Sequence, residues 1–63
     1  MAMNRDKLKT AVADNITFYR KKCGLTQAML AEKLNYSDKA ISKWERGDGM
    51  PDLMVLNDMA DIF

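Results

Sequence analysis

Two short amphipathic segments lie between Leu25 and Arg46, separated by only three residues, Asn35-Tyr36-Ser37. No other feature restricts the fold as much. The first segment carries Leu30, Ala31 and Leu34 at i, i+1 and i+4, with Gln27, Glu32 and Lys33 off that stripe. The second carries Ala40, Ile41 and Trp44, with Lys39, Ser42, Lys43 and Arg46 opposite. Both follow the helical period with one face to bury. Thr26 and Ser37 stand where N-caps belong, each able to accept from a free backbone N–H one turn on. So short a connection forces the two helices to cross steeply and share a small contact. Ala31 suits that crossing, because a larger side chain would push the axes apart.

Such a pair is a helix-turn-helix unit. Gly24-Leu25-Thr26-Gln27, Leu30-Ala31, Ser37, Ile41-Ser42, Trp44-Glu45, Gly47 and Pro51 resemble the Cro/C1-type (XRE-like) helix-turn-helix of phage and bacterial repressors. The likeness runs from about Ile16 to the end of the chain, and a pattern with this many fixed points is more specific than any pair of short helices. It implies an all-α, compact lambda-repressor-like helical bundle whose third helix enters the DNA major groove. Four helices are expected here, with the family's fifth absent before the chain stops. One domain over residues 1–63 is expected, with a helix-turn-helix core at about 26–46, as the N-terminal part of a longer protein.

Sixty-three residues allow one small domain, which buries only about 60% of its extended surface. Apolar content of 48% beside 30% charged residues sets the chain apart from disordered sequences. No apolar run approaches the roughly 18 residues of a membrane span, and no leader pattern opens the chain. Histidine is absent and Cys23 is the single cysteine. This argues against metal sites, cofactors and histidine-based catalysis, and the expected compartment is the cytoplasm. The net charge of +1 hides a division. Ten Lys and Arg with five acids lie at or before Arg46, a net +5; four aspartates and no base follow, a net −4. The basic part contains the helix-turn-helix.

In chain order, a first helix is predicted from about Arg5 to Lys22 on the stripe Leu8, Val12, Ile16, Tyr19 and Cys23. Asn4 is its candidate cap, Asp6 suits its first turn, and Lys21 and Lys22 suit its last. Gly24 ends it in the left-handed conformation. Cys23 is expected to act as a small, half-buried hydrophobe. Helix two is predicted over about Gln27–Leu34, with Asn35 as a left-handed stop. Tyr36 should turn its ring into the core. Helix three is predicted over about Asp38–Arg46, followed by a turn at Gly47-Asp48-Gly49-Met50-Pro51. Asp52 should cap a fourth helix on the stripe Leu53, Leu56, Met59, Ala60 and Phe63.

Helix three would present Asp38, Lys39, Ser42, Lys43 and Arg46 outward. The major groove admits a helix, and lysine can donate to guanine O6 and N7, so Lys39 and Lys43 are the leading base readers. Ser42 can donate or accept with less selectivity. The resemblance places Ser37, Asp38, Lys39 and Lys43 at the reading positions. Asp38 has two roles open to it: accepting from cytosine N4, or favouring the helix N-terminus. The resemblance also makes Gln27, at the start of helix two, a phosphate contact, a role its free N–H groups and amide donor suit. Arg46, Lys22 and Lys21 are further phosphate candidates. The family commonly pairs an arginine of helix one with the glutamate after the core residue of helix three. Arg20 and Glu45 therefore read as a structural ion pair, and Trp44 as core.

Two functions compete. One is sequence-specific binding of double-stranded DNA by a transcriptional regulator, a repressor acting as a homodimer on a palindromic operator, with the dimer surface beyond Phe63. The other is an antitoxin or protein-interaction module on the same fold. The polar, lysine-bearing face of helix three favours the first. Without histidine, a nucleophile–base pair or a glycine-rich phosphate loop, an enzyme is not expected.

Overall fold

The structure, a computed structural model, describes residues 5–63. Its four helices are α1 (Arg5–Lys22), α2 (Gln27–Leu34), α3 (Asp38–Glu45) and α4 (Leu53–Ile62). The expected Asn4 cap lies outside the described residues. Helix three stops one residue earlier than predicted, and Arg46 serves as its C-cap. The three predicted N-caps are in place: the side chains of Thr26, Ser37 and Asp52 accept from the amides of Met29, Ala40 and Val55. Each cap satisfies one of the four N–H groups that a helix start leaves without a partner.

The turn between α2 and α3 is set by Asn35, at φ 62° and ψ 41°. The Asn35 N–H donates to the Glu32 carbonyl at 3.2 Å and the Tyr36 N–H to Ala31 at 2.8 Å. This paired closure requires a left-handed residue. Gly24 and Gly47 end α1 and α3 by the same pair of bonds. Asn tolerates the left-handed region better than residues unable to bond locally, and glycine better still. Asn35→Ala is therefore expected to cost about 1 kcal/mol, with Asn35→Gly neutral or slightly stabilising. Urea melts of the two variants decide this; an Ala variant as stable as the parent would show that the turn does not depend on this conformation.

Ile16, Leu30, Ala31, Leu34, Ile41, Trp44, Val55 and Met59 make one core cluster. α2 packs chiefly on α3, α1 on α3, and α4 on α2. Ala31 is buried within this cluster, and Ala13 is buried on α1.

Three expectations about burial are corrected. On α1, Ile16 is buried and Val12 half-buried, but Leu8, Tyr19 and Cys23 are exposed. An 18-residue helix is about 27 Å long and two 8-residue helices about 12 Å each, so its first turns project past the bundle. Cys23 follows the last residue of α1, its amide still donating to the Tyr19 carbonyl at 3.0 Å, and is exposed rather than half-buried. On α4, Met59 is buried and Leu56 and Phe63 pack against the core as predicted, but Val55 is buried as well, while Leu53 is 81% exposed and Ala60 is exposed. Leu53-Met54-Val55-Leu56 is apolar all round the helix, so its period could not choose the inward side. Tyr36 remains 45% exposed and lays its ring edge on Trp44 at 5.3 Å.

Candidate nucleic-acid interface

α3 buries Ile41 and Trp44 and turns Lys39, Ser42, Lys43 and Arg46 to the other side, at i, i+3, i+4 and i+7. Lys39 and Lys43 are both exposed, one turn apart. Ser37 and Asp38 open the helix, also exposed. The Ser37 hydroxyl already accepts from the Ala40 amide at 3.3 Å. Arg46 donates from Nη1 to Ser42 Oγ at 2.8 Å and from Nε to Asp48 Oδ2 at 2.9 Å. This binds the end of α3 to the turn that follows, and Ser42 is half-buried beneath it. Lys43 runs alongside Gly49, where a methyl group would come within 3.1 Å of Lys43 Cε.

The candidate phosphate contacts lie on three elements. Lys22 ends α1, with its ammonium 6.0 Å from the centre of the Tyr19 ring. Lys21 is exposed beside it, and Arg46 is exposed at the end of α3. Gln27 opens α2 and is half-buried, because its Nε2 donates to Glu45 Oε1 at 3.1 Å.

That bond joins Gln27 to the Arg20–Glu45 pair. Arg20 Nε meets Glu45 Oε2 at 2.6 Å and the second guanidinium nitrogen, Nη2, meets Oε1 at 3.0 Å. The two side chains are 11% and 8% exposed. Arg20 Nη1 donates to the Leu25 carbonyl at 2.9 Å. One bidentate pair thus connects α1, the α1–α2 turn, the start of α2 and the end of α3. The Arg20–Glu45 pairing carried a family signal; the Gln27 and Leu25 bonds did not, since no local spacing connects residues 27 and 45. The Arg46–Ser42 bond was within reach of helical spacing at i, i+4.

Burial works to raise the Glu45 pKa, but hydrogen bonds from Arg20, Gln27 and the Thr17 side chain, with the Arg20 charge, hold it below the ordinary value. The Arg20 pKa is raised, first by its hydrogen bond to Glu45 and then by the carboxylate's charge, against burial. Since the folded Glu45 pKa is depressed, its stabilisation is complete above the usual Glu value of about 4.3. It is lost as pH falls through the lower folded value. The melting temperature is expected to drop across that acid range in the parent and less steeply in Glu45→Gln. Equal slopes in the two proteins would remove Glu45 from the acid response.

A polar, basic helix face, backed by a core and held against the start of a neighbouring helix, is the arrangement of a helix-turn-helix DNA-binding domain. The family model described as Helix-turn-helix (HTH_3) matches residues 16–63, and the chain belongs to this Cro/C1-type, XRE-like family of DNA-binding transcription regulators. Comparison with curated proteins found no match. Among the described residues, no helix is long and apolar enough to cross a membrane, and no group of three or more His, Cys, Asp or Glu could hold a metal ion.

Proposed function

We propose that this domain reads double-stranded DNA for a cytoplasmic transcriptional repressor, with α3 in the major groove. Lys39 and Lys43 donate to base edges. Ser37, Asp38 and Ser42 flank them, and Gln27, Lys22 and Arg46 anchor phosphates. The observation that carries this reading is the α3 face itself: two exposed lysines one turn apart, on the side away from Ile41 and Trp44. Base readers need reach and freedom, and Lys39 and Lys43 have more of both than Ser42, which the Arg46 guanidinium covers. Two such domains related by a two-fold axis would read a palindromic operator, with half-sites one helical turn apart.

The test is selection of bound duplexes from a random pool, followed by fluorescence anisotropy on the winner and a scrambled control. The expected outcome is an enriched half-site, bound weakly by the 63-residue chain, which sedimentation should find mainly monomeric. A pool that returns no enriched sequence, or a monomer binding at nanomolar concentration, would contradict the reading.

One observation favours the antitoxin or protein-interaction alternative. An apolar cleft of about 230 Å³ opens between α1 and α4, lined by Val12, Tyr19, Leu56 and Phe63 among others and by no residue of α3. If that cleft is the working surface, Lys39→Ala and Lys43→Ala leave the protein's partner binding intact and the selection finds no DNA.

A further inference from the structure

Gln27 is held at both ends. Its backbone starts α2 behind the Thr26 cap, whose hydroxyl accepts from the Met29 amide at 3.0 Å. Its side-chain nitrogen donates to Glu45 Oε1 at 3.1 Å. An amide has two ends of nearly equal size, one donor and one acceptor, whereas an ionised carboxylate only accepts. Glu45 therefore fixes the amide's Nε2, and not its Oε1, as the atom beside the carboxylate. One N–H is used, and the second is left for another acceptor. The carboxylate cannot turn away, because Arg20 grips both of its oxygens in a site with little solvent access. Arg20 is itself tied to the Leu25 carbonyl, two residues before Gln27.

We propose that Glu45 is a positioning residue for Gln27: its carboxylate sets which way the amide faces, and so which donor α2 presents to a DNA phosphate. This rests on the reading of Gln27 as a phosphate contact. A phosphate oxygen only accepts, so on the Nε2 side it can take the second N–H, whereas an amide turned the other way offers that side an oxygen and repels it. A side chain ordered before binding also loses less rotamer freedom on contact. The pair thus has a second task beside holding the bundle together. It couples the start of α2 to the helix that reads the bases.

The experiment is a double-mutant cycle of Gln27→Ala and Glu45→Gln, read as affinity for the selected duplex at pH 7, with urea melts alongside. Gln at position 45 keeps the size of Glu but can offer either amide atom, so it no longer dictates the orientation of Gln27. Gln27→Ala is expected to weaken binding about tenfold in the parent and by only about twofold in the Glu45→Gln background. The same loss in both backgrounds overturns the proposal and leaves Gln27 as a phosphate contact. No loss in either overturns that contact and the proposal with it. A second measurement needs no variant. Gln27 is the single glutamine of the chain, so its side-chain amide signals are identifiable by NMR. In the free protein they should show backbone-like order and shift as pH falls through the Glu45 titration. Averaging like that of the exposed Asn57 amide would overturn the proposal.

Discussion

Glu45→Ala is expected to destabilise the domain by about 1–3 kcal/mol, and Arg20→Ala by a similar amount. The reason lies more in what is left behind than in what is lost. Removing the carboxylate strands a guanidinium that is 11% exposed, and removing the guanidinium strands a carboxylate that is 8% exposed. An unpaired charge in such a half-buried place carries part of its desolvation cost. Gln27 Nε2 loses its acceptor with Glu45, and the Leu25 carbonyl loses its donor with Arg20. Domains of this size rarely exceed roughly 3–5 kcal/mol of total stability, so either single variant should lose a large part of it. The double variant should cost clearly less than the two singles together, because neither charge remains. Replacing both by apolar residues, Arg20→Met with Glu45→Leu, should recover most of the loss. Urea unfolding of the parent and these four variants is the measurement. Additive costs would mean that the two side chains stabilise the bundle independently.

The parts of this fold that were legible in the sequence are those that local chemistry decides. Thr26, Ser37 and Asp52 could be read as caps because a helix start needs a side-chain oxygen there. Asn35 could be read as a left-handed stop because few residues other than Gly and Asn enter that region cheaply. The inward side of α4 was legible only in part: Leu56, Met59 and Phe63 of the predicted stripe meet the core, but four successive apolar residues from Leu53 to Leu56 hid that Val55 turns inward and Leu53 outward. The exposure of Leu8 was not legible, since it depends on how far the first turns of α1 outrun its short partners. Nor was that of Tyr19, which rests on the rim of the α1–α4 cleft with its ring stacked on Phe63. The site divides in the same way. The spacing of Lys39, Ser42, Lys43 and Arg46 is a property of one helix and could be counted off the chain. Gln27 meeting Glu45 is a property of how α2 crosses α3, and nothing within either segment announces it.

Lys43→Ala is expected to lower affinity for the preferred duplex by about 1–3 kcal/mol and to relax discrimination at one or two base pairs. Lys39→Ala should do the same at neighbouring positions. Arg46→Ala should weaken preferred and scrambled duplexes by similar factors, and reduce the slope of log affinity against log salt by about 1. The contrast follows from what each side chain would meet under the proposed docking. A base edge differs between sequences, so losing its partner costs the right site more than the wrong one. A phosphate is the same everywhere and carries condensed counterions, so losing its partner costs all sites alike and leaves fewer ions to release. Arg46 has a further reason to act as an anchor: its bonds to Ser42 and Asp48 hold the guanidinium against the end of α3. Lys43 runs its aliphatic chain past Gly49 and is exposed. Binding of each variant to the selected duplex, its single-base variants and a scramble, at several salt concentrations, separates the two classes. If Lys43→Ala weakens every sequence equally and flattens the salt slope, Lys43 is an anchor too, and α3 lies along the sugar-phosphate strand rather than within the groove.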